Sequence, residues 1–152
     1  MPDETPRARA ETFALLVLRA FYAQFWLLQW FGKLRDQESG IVALKNLGIW
    51  SQHTTEWFVK LTPLPAWAVA PYTTVLPWCE LTLGLLFLLG LRLRLAFMGG
   101  ALLLLSLDVG LMLQLKHEAV ATNHIHLLSL LIGLWLCDRD RWSLDARFAK
   151  RA

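Results

Sequence analysis

Charge is scarce in this chain. Asp, Glu, Lys and Arg make up 18% of its residues, against about 25% in a soluble domain. With 56% apolar residues in 152, a soluble fold of this length could not bury so much apolar surface. The formal net charge is only +3, too small to suggest a nucleic-acid partner. Cysteine is nearly absent: Cys79 and Cys137 each stand alone. No CxxC, GxSxG or glycine-rich phosphate loop occurs, which removes the chemistries built on those patterns. A cleavable leader is not expected. The first apolar run contains Arg19, continues past it, and lacks a small-x-small site behind a short core.

What is abundant is long apolar runs and large aromatics, with 8 Trp and 8 Phe. Runs of that length are the signature of membrane-spanning helices. The pattern predicts an all-α membrane protein: a four-transmembrane-helix bundle in residues 12–137. The four helices are expected at about 13–32, 72–91, 95–115 and 119–137. Residues 1–11 read as a polar tail, with Thr12 placed to cap the first helix. Residues 138–152 read as a basic tail with room for an interfacial helix around Trp142 and Phe148. Arg19 reads as a snorkelling residue near the inner surface.

Between the first two spans lies a Trp-rich stretch, 36–71. Residues 41–50 and 55–61 look like short amphipathic pieces, and Trp50, Trp57 and Trp67 suit an interfacial belt. Pro63, Pro65 and Pro71 argue against a continuous span. The stretch therefore reads as a long loop on the membrane surface.

Orientation follows from Lys and Arg. One side carries Arg7, Arg9, Arg92, Arg94, Arg139, Arg141, Arg147, Lys150 and Arg151, nine in all. The other carries Lys33, Arg35, Lys45, Lys60 and Lys116, five in all. Both termini are thus expected to be cytoplasmic. The long loop and the four histidines, His53, His117, His124 and His126, fall on or near the outer side.

The expected second span carries a carboxylate, Glu80, and the third carries Asp108. A charge at the centre of a membrane helix costs roughly 3 kcal/mol on insertion scales, so something must answer each. Helical rise puts Glu80 roughly 12 Å below the outer surface and Asp108 about 10 Å below it. Gln24 and Gln29 fall in the same outer half of the first helix, and His124 and His126 near the outer end of the fourth. Every helix would then contribute to one polar layer. The layer admits two readings. It is structural glue, with Glu80 bonded to Gln24 and Asp108 to a histidine. Or it is a small site for a quinol head group, a proton-linked redox partner or a metal. For a metal, His117, His124 and His126, with Glu118 and His53 nearby, are suitable ligand types. Residues 124 and 126 point to different sides of a helix, so sharing a metal requires a non-helical stretch there. Cys79 and Cys137 are expected roughly 20 Å apart along the membrane normal, too far for a disulfide.

Several segments together resemble the DoxX/DoxD-like family of small four-helix membrane proteins. They are the Arg-containing first run LVLRAFYAQFWLLQWFGKL ending in Gly32-Lys33-Leu34, and the pattern Pro77-x-x-Glu80-x-x-x-Gly84 followed by Gly90 and Arg92 or Arg94. A helix opening AFMGGALLLL completes the set. The resemblance covers about residues 12–137. The long Trp-rich stretch departs from shorter members and looks more like the DoxD-type small subunit of thiosulfate:quinone oxidoreductase. The resemblance implies a compact bundle in the bacterial inner membrane, serving as an accessory subunit of a redox or quinone-linked complex. It implies no catalysis by this chain alone. Expected partners are the lipid bilayer and other membrane subunits or further copies, and the cofactor it suggests is quinone. Glu80 carries over as the family's buried carboxylate, while the unpaired cysteines set the chain apart from relatives that pass electrons through paired thiols. The rival readings are a purely architectural small subunit that stabilises a larger assembly, and a metal- or small-solute-handling membrane protein using the outer histidines.

Overall fold

The structure, a computed structural model, describes residues 6–36 and 39–137. The expected basic tail at 138–152 lies outside the described residues, as do residues 1–5. Five helices follow one another: α1 (Pro6–Leu34), α2 (Lys45–Leu61), α3 (Ala66–Leu89), α4 (Leu93–Leu113) and α5 (His117–Leu136). Among the described residues there is no strand, only an isolated bridge between Arg35 and Val42. Four of the helices, all but α2, are long and apolar enough to cross a membrane.

The expected tail at 1–11 is corrected from Pro6 onward: the first helix begins there, not at 13. Proline fits the first helical turn, because its missing N–H has no intrahelical partner at that position. Arg7 Nε then pairs with Glu11 Oε1 at 3.1 Å, one turn on. Thr12 is no cap. Its hydroxyl donates back to the Ala8 carbonyl at 3.0 Å inside the helix.

The stretch 36–71 differs most from expectation. The two amphipathic pieces join into one helix of 17 residues, α2. No proline lies between 45 and 61, so nothing breaks the backbone there. The helix stops where Pro63 forces Thr62 into an extended conformation. The third helix starts at Ala66, six residues before the expected 72, and runs through Pro71 and Pro77. Buried membrane helices tolerate such prolines because neighbouring groups re-satisfy the freed carbonyls.

Asn46 fixes the start of α2. Its side-chain amide donates to the carbonyls of Leu34 (2.7 Å) and Ile41 (2.9 Å), and the residue is buried. It thereby ties the end of α1 to the entry of α2. Asn46→Ala removes both bonds, while the Leu34 and Ile41 carbonyls keep the backbone N–H groups of Ala43 and Asp36, and should lower the unfolding free energy by about 0.5–1.5 kcal/mol. Detergent unfolding followed by circular dichroism checks this.

Two tight turns complete the chain. Gly90, at φ 65°, closes α3 with a 6→1 bond from the Leu91 N–H to the Leu86 carbonyl, 3.0 Å. Leu115, at φ 58°, closes α4 the same way, with the Lys116 N–H on the Leu111 carbonyl at 3.0 Å. The bundle packs chiefly as α1 on α3 and α4 on α5, with α2 lying on α3 and only sparse contact between α3 and α4. Leu15, Tyr22, Trp26, Phe87, Phe97 and Leu130 form its fully buried centre. The Tyr22 hydroxyl joins α1 to α5 through the His126 carbonyl (2.7 Å) and Ser129. Large apolar side chains such as Phe13, Leu88, Leu102 and Ile125 face outward on the spanning helices, as a lipid-embedded bundle requires.

Candidate functional site

The connectivity brings one end of every spanning helix under α2: the end of α1, the start of α3, the end of α4 and the start of α5. The two carboxylates lie deeper, Glu80 in the middle of α3 and Asp108 on α4, and the polar layer divides into two separate clusters.

The first answers Glu80. Its partner is Lys33, from the last turn of α1, not Gln24. Both side chains are nearly inaccessible, 9% exposed for Lys33 and 4% for Glu80. Lys33 Nζ also donates to the Gln29 carbonyl at 3.3 Å and lies 4.9 Å from the Trp50 ring centroid on α2. The buried ammonium is thus met on three sides. Gln24 and Gln29 are exposed on α1, and their side chains take no part in the pair.

The second cluster joins α4 to α5. Asp108 Oδ1 accepts from the Asn123 side-chain amide at 2.7 Å. His124 lies beside it, with Nδ1 3.8 Å from Asp108 Oδ2 and 2.7 Å from the Val120 carbonyl. Asp108 Oδ2 is buried and makes no hydrogen bond among the described residues. The expected partner was a histidine; the bonded one is an asparagine one residue earlier.

His126 faces elsewhere. Its ring packs on Phe21 and Phe25, centroids 5.8 and 5.1 Å away. His117 and His53 are exposed. Residues 117–136 form a regular helix, so the non-helical stretch that a shared metal required is absent. Among the described residues no three His, Cys, Asp or Glu side chains come together to hold a metal ion. The expected set of His117, His124 and His126 is therefore not assembled. Cys79 and Cys137 form no disulfide.

Between α2 and the spanning helices lies a cavity of about 440 Å³ that the sequence did not reveal. Ligand pockets typically measure roughly 300–1,000 Å³. Trp50 and Trp57, two turns apart and so on one face of α2, form its roof with Phe58. Leu76, Leu107 and Leu111 form its walls. Phe58 fits there because residue 110 is glycine: a Cβ at that position would come within 2.9 Å of the Phe58 ring.

The polar groups of the cavity are few and specific. Gln114, at the end of α4, has both amide atoms buried without a hydrogen-bond partner among the described residues. Lys116 sits with Nζ 4.2 Å from the Trp57 ring centroid. Asn123 contributes to the lining, and the Tyr72 and Ser106 hydroxyls bond one another at 2.9 Å. A buried, unpaired amide is expensive, about 1–3 kcal/mol. An amide offers two donors and one acceptor. The cavity therefore offers an apolar enclosure with an unsatisfied amide donor and acceptor inside it. Among its lining residues there is no Asp, Glu, His or Cys. Gln114, just past the end of α4, was the one sequence signal for it.

Comparison with family models, curated proteins and solved structures gives no match for the chain.

Proposed function

We propose that this protein is an integral-membrane accessory subunit of a quinone-linked redox complex, holding a quinone head group in the cavity beneath α2. The observation that carries the reading is the unpaired Gln114 amide inside an aromatic-walled cavity at the bundle end. A quinone carbonyl would accept from its Nε2, and a quinol hydroxyl would donate to its Oε1. Lys116 would supply a second, charge-assisted donor. The DoxX/DoxD-like resemblance points the same way, and the Lys and Arg count supports an inner-membrane orientation with both termini cytoplasmic. The subunit binds and positions; electron transfer belongs to its partner.

A second reading, a purely architectural subunit, is favoured by the Lys33–Glu80 pair, which uses that carboxylate to tie α1 to α3. On either reading Glu80 holds helices together.

The two readings separate on a titration. A short-tailed ubiquinone or menaquinone analogue added to the protein in nanodiscs should quench tryptophan fluorescence saturably, since Trp50 and Trp57 line the cavity. Gln114→Leu should weaken that binding about fivefold to tenfold, the effect of one hydrogen bond of about 1–1.4 kcal/mol. Linear, unsaturable quenching, identical in the variant, would leave the architectural reading standing alone.

A further inference from the structure

The cavity has a neighbour on the α3–α4 face. Ser106 lines the cavity and also lines a second depression of about 520 Å³, on the outer face between α3 and α4. The two follow one track along the helix pair. On α3 the cavity takes residues from 68 to 76 and the second depression takes 78 to 83. On α4 the cavity takes 106 to 114 and the depression 99 to 106. From Ser106 to Gly99 is seven residues, roughly 10 Å of helix.

The groove exists because small side chains meet there. Gly99, Ser106, Cys79 and Thr82 leave space that Trp78 and Leu102 border, and the two helices touch only sparsely. Its lining is overwhelmingly carbon. The hydroxyls at or beside it are already engaged: Thr82 with the Trp78 carbonyl at 2.8 Å, Ser106 with Tyr72. An apolar chain can pass without stranding a polar group. The amide-bearing head site lies at one end and open bilayer at the other.

We infer that the α3–α4 groove seats the hydrocarbon tail of the lipid whose head occupies the cavity, and that the occupant is an isoprenoid-tailed quinone. This rests on the reading proposed above. The head enters beneath α2, the tail leaves past the Tyr72–Ser106 pair, and it runs along Gly99 and Thr82 toward the middle of the bundle. The bilayer itself solvates a free tail as well as the groove does. The groove therefore fixes where the tail lies and which way the head turns, and adds little to affinity.

The experiment is positional. Two photoreactive quinones are reconstituted with the full chain in nanodiscs, one carrying a diazirine near the ring and one carrying it several carbons along the tail. Labelled peptides are mapped by mass spectrometry. The ring probe should label α2 and the 107–116 segment, and the tail probe should label 78–83 and 99–106. Thr82→Phe, a change at an exposed position that fills the groove, should abolish tail labelling and leave ring labelling intact. Gly99→Leu should do the same from the opposite wall. Ring labelling in the cavity with tail labelling scattered over all lipid-facing helices would overturn the groove assignment while leaving the proposed function in place. No ring labelling in the cavity would overturn both. A diacyl phospholipid bearing the same tail diazirine and labelling the groove as strongly would show an unselective lipid contact, and would also overturn it.

Discussion

Lys33→Met is expected to lower the unfolding free energy of the bundle by about 3 kcal/mol, the scale for removing one member of a buried ion pair. The Glu80 carboxyl, 4% exposed in the middle of α3, would lose its only bonded partner among the described residues. One turn on, Gly84 packs closely against Leu27 of α1. The reverse change is milder. In Glu80→Leu, Lys33 stands next to last in α1, so its long side chain can turn toward the membrane surface. It also keeps the Gln29 carbonyl and the Trp50 ring. A loss of about 1–2 kcal/mol is expected there. The double variant, Lys33→Met with Glu80→Leu, should return to within about 1 kcal/mol of the original, because two apolar side chains replace the pair without stranding a charge. SDS titration in mixed micelles, read by circular dichroism, measures all three. Gln24→Ala serves as the control and should change nothing, since Gln24 is exposed. If Lys33→Met and the double variant prove equally unstable, the pair is not what couples α1 to α3.

The second large effect is steric. A Cβ at Gly133 would overlap the ring of Phe97, and that ring is fully buried between Tyr22, Phe87 and α5. Small residues in membrane helices let backbones approach this closely. Gly133→Ala should therefore destabilise by about 2–3 kcal/mol through overpacking. Phe97→Leu should recover part of that loss when combined with it, which a general loss of helix quality would not show. Gly48 provides the contrast. It is exposed in α2, and a Cβ there meets nothing within 4 Å. Gly48→Ala should stabilise by about 0.5–1 kcal/mol through helix propensity alone. The same mixed-micelle unfolding series compares them.

The four spans were legible because each is a predominantly apolar run at least about as long as a bilayer demands. Their starts were less so, and proline is the reason. Pro71 read as a break, yet it sits inside α3, and Pro6, within what read as a polar tail, opens α1. The helix α2 was obscured by its polar middle, Ser51 to Thr55, which looked like a break between two pieces. In the fold Ser51 and Thr55 bond the hydroxyls of Thr73 and Thr74 on α3 at 2.8–3.1 Å. That polarity is a seam between helices, and no single-helix pattern exposes it. That Glu80 and Asp108 each need an answer follows from the sequence. Which residue answers does not. Lys33 looked like the closing charge of a helix, and its reach of several bonds carries it back to Glu80. Asn123 hid beside the more conspicuous His124. The cavity depends on α2 folding over the bundle end, so only its polar marker, Gln114, was present in the sequence.

The Lys33–Glu80 pair also imposes an order on synthesis. Its members are 47 residues apart, a stretch that takes roughly 2–10 s to translate at 5–20 residues per second. Throughout that interval α1 has entered the membrane with an ammonium group and no carboxylate to meet it. Lys33 must wait hydrated at the surface, which its place near the helix end allows. When α3 arrives, the pair can close only if the intervening segment, including α2, has remained on that same side. Closure of one ion contact therefore certifies that three earlier segments have the correct topology. A nascent chain arrested before residue 80 should remain an open, unlatched first helix.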